Sequence, residues 1–162
     1  MMHFAGFEQR LEPVKPIIMI SVICPIYNEE KYIAKCIESI LEQDYPKDDL
    51  EVIFVDGMST DRTRGIVAEY TKTFPFIRMV DNPDRIVPPA MNIGIRLAKG
   101  EIIIRLDAHA IFPSDYFSEL TKNLIELDAD NVGGVCRTLP VDDSVKSRSI
   151  AAVLSSSFGM GN

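Results

Sequence analysis

The chain of 162 residues has no tryptophan, only three cysteines and no long hydrophobic run. An odd number of widely spaced cysteines fits neither a zinc knuckle nor a disulfide framework, so Cys24 and Cys36 are expected to be small buried thiols in a reducing compartment. No segment reaches the roughly 20 apolar residues that a membrane helix needs. The first apolar run is short and follows an acidic, proline-containing stretch, which is unlike a signal peptide. The composition indicates a globular domain of one core.

An excess of positive charge is also missing. The chain has 17 Lys and Arg against 24 Asp and Glu, for a net charge of −7 and a pI near 4.8. This balance disfavours broad electrostatic binding of nucleic acid. A small polyanion can still bind where a metal ion or backbone N–H groups neutralise it.

Three common motifs for nucleotide binding or acyl transfer are absent. There is no GxxxxGK[ST] phosphate loop, no GxGxxG after the first strand and no GxSxG nucleophile turn. A nucleotide site in this chain would therefore have to be built differently.

Apolar segments alternate with amphipathic ones along the chain. The apolar segments predict strands over Ile17–Cys24, Val52–Val55, Phe76–Val80, Glu101–Leu106 and Asn131–Arg137. The amphipathic segments predict helices, with Asn28 and then Ser59 or Thr60 as N-caps and Gly100 as a C-terminal stop. This order predicts an α/β domain over residues 17–162 with a mainly parallel sheet, after a lead-in at residues 1–16.

Polar residues follow three of these strands, where ligands bind in parallel sheets. Tyr27 and Glu29 could stack on a base and reach ribose, or could be a packing residue and part of a helix cap. Asp56 and Ser59 could accept hydrogen bonds from a base or ribose, or could only shape the turn and cap the next helix. The residues alone leave these alternatives open.

Asp107 and His109 are the candidate metal ligands. They stand two residues apart at the predicted end of a buried strand, a spacing that places both side chains on one side. A carboxylate suits Mg²⁺ or Mn²⁺, and imidazole shifts the preference toward Mn²⁺ and later metals. Two ligands do not make a tight site, so diphosphate oxygens and water would complete it. The alternative is that His109 is a partly buried histidine with an ordinary hydrogen bond.

Taken together, four segments resemble the ordered motif set of family 2 glycosyltransferases. The segments are CPIYNEE (24–30), VDGMSTDRT (55–63), AMNIG (90–94) and AKGEIIIRLDAHA (98–110), within a resemblance that covers residues 17–134. The resemblance implies a GT-A fold and transfer of a sugar, with inversion, from a nucleotide-diphosphate donor, usually UDP-linked. It also implies a saccharide or lipid-linked acceptor and a role in cell-surface polysaccharide synthesis, in the cytoplasm at the inner face of the cell membrane.

The resemblance also assigns roles by position. Pro25, Tyr27 and Glu29 resemble the residues around the nucleoside, and Asp56, with Ser59 close by, resembles the carboxylate that reads the base. In the same way Asn92 and Gly94 match a helix segment near the donor phosphates and sugar. Asp107 to His109 occupies the place of an Asp-x-Asp motif that binds Mn²⁺ or Mg²⁺.

The chain departs from the family pattern in three places. His109 replaces the usual second aspartate, as in a bacterial branch that includes succinoglycan-type exopolysaccharide glycosyltransferases. Met91 stands where many members have arginine, a phosphate contact that Arg85 or Arg62 would have to supply. The general base of the family is expected beyond Asn162, which predicts a truncated N-terminal portion whose missing part carries any membrane association.

Two carboxylates, Asp142 and Asp143, are weaker candidates for that base. Two other functions also remain open at the sequence level. One is a nucleotide-sugar-binding module without catalysis, and the other is a nucleotidyltransferase of related fold, for which the expected glycine-rich, lysine-bearing loop is absent.

Overall fold

The computed structural model describes residues 18–140 and 142–156. Two compact units divide the chain, Met1–Thr121 and Lys122–Asn162, and the sheet lies in the first. The strands are β1 (Ile20–Ile26), β2 (Leu50–Asp56), β3 (Ile77–Asp81) and β4 (Ile102–Arg105). The α-helices are α1 (Ile33–Leu41), α2 (Thr63–Thr73), α3 (Val87–Leu97), α4 (Tyr116–Glu126) and α5 (Val145–Leu154), and Lys47–Asp49 forms one 3₁₀ turn.

All four strands are parallel, in the order β3-β2-β1-β4. Ile20 of β1 is in register with Leu50 on one side and with Ile102 on the other. Because β2 and β4 lie on opposite sides of β1, the strand order reverses there, and in open α/β sheets ligands bind in the crevice beside such a reversal. The sheet thereby confirms the predicted α/β class.

Both faces of the sheet are covered. Ile20, Val22 and Cys24 face a cluster that contains residues of α1 and α2, whereas Ile23 faces the cluster around Ala90 of α3. All four β1 side chains are fully buried. This double burial explains why the first strand reads as a continuous apolar run rather than as an alternating one.

The predicted buried thiols are confirmed. Helix α1 buries one apolar side, with Ile33, Cys36, Ile37 and Ile40 in the core. Cys24 and Cys36 are free and buried, and Cys136 is exposed. A hydrogen bond with the Cys36 thiol and burial raise the pKa of Cys24, so this thiol stays neutral in the core. Within the described residues no helix has the length and apolar character needed to span a membrane.

Three local predictions are wrong. Asn131–Arg137 forms no strand. Asn28 does not cap α1, which begins at Ile33 without a side-chain cap, and α2 likewise begins at Thr63 without a cap from Ser59 or Thr60. Gly100 does not follow the end of α3 directly, since α3 ends at Leu97.

The glycine at position 100 has a packing role instead. A Cβ atom there would lie 2.5 Å from the backbone nitrogen of Ser21, so only glycine lets the α3–β4 turn approach β1 this closely. The predicted lead-in at residues 1–16, together with Ile17, lies outside the described residues.

Candidate functional site

A cleft of about 240 Å³ opens at the carboxyl ends of β1 and β4, beside the reversal of strand order. It is lined by Pro25, Ile26, Tyr27, Glu29, Val55, Gly57, Asn82, Arg85, Ile86, Val87, Ala90, Arg105, Asp107, Ala108 and His109. Five of the predicted site residues are in this set, namely Pro25, Tyr27, Glu29, Asp107 and His109. The sheet topology therefore brings together residues from two distant segments of the chain.

One wall of the cleft offers an aromatic surface. The side chain of Tyr27 is 46% exposed, and its ring borders Gly57. A Cβ atom on Gly57 would lie 3.3 Å from Cδ2 of Tyr27 and 3.4 Å from Cα of Arg85. Because Gly57 has no side chain, the space between these two residues stays open, which suits a flat ring stacked on the tyrosine.

The loops after β1 and β4 bring acidic and imidazole groups into the same cleft. Nδ1 of His109 lies 3.3 Å from Oε1 of Glu29, and Oδ1 of Asp107 accepts a hydrogen bond from Nη2 of Arg105 at 3.1 Å. The side chains of Asp107 and His109 are both more than half exposed, so their donor atoms are open to a ligand. Arg105 adds a positive charge to the same cleft.

These donors fit a cation that is shared with a ligand. In the described parts of the chain, no group of three or more His, Cys, Asp or Glu side chains is arranged to hold a metal by itself. Asp107 and His109 would supply one carboxylate and one imidazole, a set compatible with Mn²⁺ when phosphate oxygens and water fill the other positions.

Asp56 and Ser59 do not line the cleft. Asp56 is fully buried, and its carboxylate accepts hydrogen bonds from Oγ of Ser59 at 2.5 Å, from N of Ser59 at 3.0 Å and from Nη1 of Arg64 at 2.5 Å. Nη1 of Arg64 also donates to Oδ1 of Asp81 at 2.8 Å. Asp81 and Asp56 together raise the pKa of Arg64, which keeps it charged between the ends of β2 and β3. Direct contact of Asp56 with a base stays a prediction.

The polar loop after β2 instead fixes the loop after β1. N of Asn28 donates to Oγ of Ser59 at 2.9 Å, and Oδ1 of Asn28 accepts from N of Thr60 at 2.9 Å. N of Glu29 donates to Oγ1 of the buried Thr63 at 2.7 Å. Asn28 has a φ of 55°, a left-handed conformation that asparagine tolerates and that these bonds hold in place. The backbone that carries Glu29 into the cleft is therefore set by residues more than 30 positions away.

The two α3 candidates also lie outside the cleft lining. Asn92 is exposed, and Gly94 is buried against β1, where an added Cβ atom would lie 2.4 Å from Cγ2 of Ile23. The glycine at position 94 thus permits close packing of α3 on the sheet. Of the two arginines considered for a phosphate contact, Arg85 lines the cleft, whereas Arg62 pairs with Glu30.

Comparisons with known proteins bear on the family and the fold of this chain. The family model described as Glycosyl transferase family 2 matches residues 21–159, most of the chain. The chain belongs to this family. It is 42% identical over 109 residues to a dolichyl N-acetyl-alpha-D-glucosaminyl phosphate 3-beta-D-2,3-diacetamido-2,3-dideoxy-beta-D-glucuronosyltransferase of Methanococcus voltae, a match that covers 66% of this chain and 33% of the relative. It is 32% identical over 132 residues to the succinoglycan biosynthesis protein ExoA of Rhizobium meliloti, covering 80% of this chain and 40% of that protein.

Solved structures show the same GT-A fold. The mannosyltransferase PcManGT of Pyrobaculum calidifontis, in complex with GDP-Man and Mn²⁺, superposes with a TM-score of 0.63 at 38% identity over 66% of this chain and 32% of its own. S. aureus TarS 1–349 in complex with UDP superposes with a TM-score of 0.62 at 27% identity over 77% of this chain and 40% of its own. This family 2 chain spans well under half the length of these relatives.

The general base of this family 2 chain is not assigned by the structure. Asp142 accepts a hydrogen bond from N of Ser144 at 3.0 Å, just before α5, and its bonds to Ser144 lower its pKa. A low pKa makes a carboxylate a weaker proton acceptor. Asp142 is thus better explained as a turn residue, and a base beyond Asn162 stays a prediction.

Sequence reasoning did not single out three contributors to the cleft. Asn82 and Ile86 lie between β3 and α3, Val87 is the first residue of α3, and none of the three was predicted as a site residue. The rule that ligands bind at the carboxyl ends of parallel strands applies to β3 as well as to its neighbours. Applied to the Asp81-Asn82 ending, it could have identified this segment.

Proposed function

We propose that this chain forms the donor-binding part of an inverting glycosyltransferase. The donor is a nucleotide-diphosphate sugar, UDP-linked as the family resemblance implies, and the acceptor is a saccharide or lipid-linked chain in cell-surface polysaccharide synthesis. The proposal follows from family membership and from the cleft. Solved relatives that are complexes with GDP-Man and Mn²⁺, with UDP and with UDP-GlcNAc support the donor class.

The observation that carries the proposal is the pairing of two kinds of surface in one cleft. Tyr27 presents an exposed ring beside Gly57, which has no side chain to block the stacking of a base. Asp107 and His109 present open metal-ligating atoms, and Arg105 adds positive charge beside them. A nucleoside diphosphate has both complementary parts, a flat ring and a charged diphosphate.

The chemistry divides between the two ends of the donor. A bound divalent metal supplies positive charge that stabilises the departing diphosphate. Asp107 and His109 would hold that charge in the cleft, and Glu29, in contact with His109, would fix the orientation of the imidazole. Inversion also requires a base that accepts the proton of the attacking acceptor hydroxyl. We place that base outside the residues assigned here.

Calorimetric titration of the chain with UDP and GDP, first with Mn²⁺ and then with EDTA, tests the proposal. Nucleotide binding that requires Mn²⁺ is the expected result, because the protein offers too few ligands for the metal alone and too little positive charge for the diphosphate alone. Failure of the folded chain to bind either nucleotide contradicts a donor site in this chain.

Two further parts of the proposal need separate tests. Hydrolysis or transfer of a nucleotide sugar by a longer version of the protein distinguishes an enzyme from a binding module. The proposal also includes a cytoplasmic location at the inner face of the cell membrane, as the resemblance implies. Cell fractionation checks this location.

A further inference from the structure

Asn82 occupies a central position in the wall of the cleft. It follows β3 directly, is 1% exposed and lines the cleft. Its backbone N–H donates to the carbonyl of Asp56 at 2.7 Å, and its carbonyl accepts from N of Arg85 at 3.2 Å. Its side-chain Nδ2 donates to the carbonyl of Ile86, the residue before α3, at 2.9 Å.

The side-chain oxygen of Asn82, Oδ1, makes no hydrogen bond to the described residues. The Ile86 carbonyl can only accept, so Nδ2 must face it, and this bond fixes Oδ1 on the opposite side. Oδ1 is buried and has no hydrogen-bond partner among the described residues. Buried amide oxygens without a partner are rare because they lose their bonds to water on burial without replacing them. An acceptor left open at a ligand cleft indicates a donor on the ligand.

Asp56, the residue that the family resemblance would assign to the base, has a different environment. Its two carboxylate oxygens already accept three hydrogen bonds from Ser59 and Arg64, and the residue is not part of the cleft lining. Asn82 therefore offers a buried side-chain acceptor that has no partner among the described residues, and Tyr27 and Arg85 line the same cleft.

We propose that Asn82 determines which nucleobase the cleft accepts, through a hydrogen bond from the ring N–H of the base to Oδ1. This inference rests on the proposed function. Uracil and guanine share this chemistry, a ring N–H flanked by a carbonyl. Cytosine and adenine have a lone pair at the corresponding ring nitrogen and would set one acceptor against another. The site thus selects UDP or GDP against CDP and ADP.

Oδ1 is shielded from solvent in the ligand-free arrangement, so the inference requires a local shift of side chains in the cleft wall when the base binds. The side chains of Ile86 and Val87 on that wall are 59% and 44% exposed and are not held by core packing. Their side chains can rotate while the backbone carbonyl of Ile86 keeps its hydrogen bond with Nδ2 of Asn82.

The test compares four nucleotides on three proteins. UDP, CDP, GDP and ADP are titrated, with Mn²⁺ present, against the unmodified chain, Asn82→Ala and Asn131→Ala, an exposed asparagine outside the cleft. We expect the unmodified chain and Asn131→Ala to prefer UDP over CDP, or GDP over ADP, by roughly tenfold or more. In Asn82→Ala we expect the ratio of the two affinities to fall close to one.

The other outcomes separate the two proposals. Absence of all nucleotide binding by the folded, unmodified chain overturns the proposed function. Nucleotide binding without base preference, or a preference that survives in Asn82→Ala, overturns only the inference. If Asn82 had only a structural role, Asn82→Ala would weaken the binding of all four nucleotides equally and leave the ratios of their affinities unchanged.

Two further arms complete the design. The variant Asp56→Asn tests whether Asp56 recognises the base instead. Loss of base preference in that variant, but not in Asn82→Ala, would mean that Asp56 determines the preference. If Asn82→Ala does not fold, the unmodified chain is titrated with 3-methyl-UDP and 1-methyl-GDP, whose ring N–H is replaced. Binding equal to that of UDP and GDP overturns the inference.

Discussion

Nδ1 of His109 lies 3.3 Å from Oε1 of Glu29, across 80 positions of sequence. The contact joins the loop after β4 to the loop after β1 at one side of the cleft. It exists because β4 pairs with β1 in the sheet. Both residues belong to the predicted donor and metal site, so each can be tested separately.

We expect His109→Ala to weaken only the metal-dependent part of nucleotide binding, by roughly tenfold or more. The variant removes an imidazole that faces the cleft and leaves the Tyr27 ring in place. Titration with UDP or GDP in Mn²⁺ and in EDTA measures the two parts. An equal loss in EDTA would mean that His109 acts through its contact with Glu29 rather than through a metal.

Thr63→Val should reduce both stability and nucleotide affinity. It removes the hydroxyl that accepts the hydrogen bond from N of Glu29 and leaves that N–H unpaired, at a cost of about 1–3 kcal/mol. Thr63→Ser keeps the hydroxyl and should restore both properties, and Thr73→Val at the exposed end of α2 is the control. Chemical denaturation and UDP titration check the result. Lower stability with unchanged affinity would mean that the hydrogen bond between Thr63 and Glu29 stabilises the fold without affecting the nucleotide site.

Gly94→Ala should lower the free energy of unfolding by about 1–2 kcal/mol, because the new methyl overlaps Ile23 and the overlap outweighs the gain in helix propensity. The matched control is Gly65→Ala in α2, where an added Cβ meets nothing within 4 Å. That substitution should stabilise by about 0.5–1 kcal/mol. Thermal or urea unfolding measures both variants. Unchanged stability with weaker UDP binding in Gly94→Ala would instead support the donor contact that the resemblance implies.

Glu51→Gln should destabilise the chain near neutral pH. Burial alone raises the pKa of Glu51, but hydrogen bonds from Ser21 and from N of Lys99, with the charge of Arg78, outweigh it and hold this pKa below 4.5. The folded state thus binds a proton more weakly than the unfolded state. The contribution of Glu51 to stability is present above the unfolded pKa and is lost as the pH falls through the folded one.

The difference in melting temperature between the unmodified chain and Glu51→Gln should therefore shrink as the pH falls below 4.5. Glu69→Gln, at an exposed position in α2, is the control and should show little effect at any pH. A difference independent of pH would mean that Glu51 contributes by packing and not by charge.

The sequence by itself determined the fold class and the general position of the site. Continuous apolar runs and the helical spacing of Ile33, Cys36 and Ile40 are local patterns, and a local pattern is enough to specify a strand or a helix. The same local patterns identified the polar residues that follow these strands, such as Tyr27 and Asp107, as candidate ligand-binding residues. Among the wrong predictions, those for Asn28 and Gly100 failed because their bonds or contacts are to distant segments rather than to their own helices.

Only the tertiary structure decided which of these residues meet. The order β3-β2-β1-β4 depends on long-range strand pairing, which no local period encodes, and it places Glu29 beside His109. In the packed chain, bonds to Ser59 and Arg64 occupy the Asp56 carboxylate outside the cleft lining, and Oδ1 of Asn82 has no partner among the described residues. Burial and hydrogen-bond saturation are properties of the packed chain. The choice between a ligand contact and a structural bond therefore belongs to the fold and not to the motif.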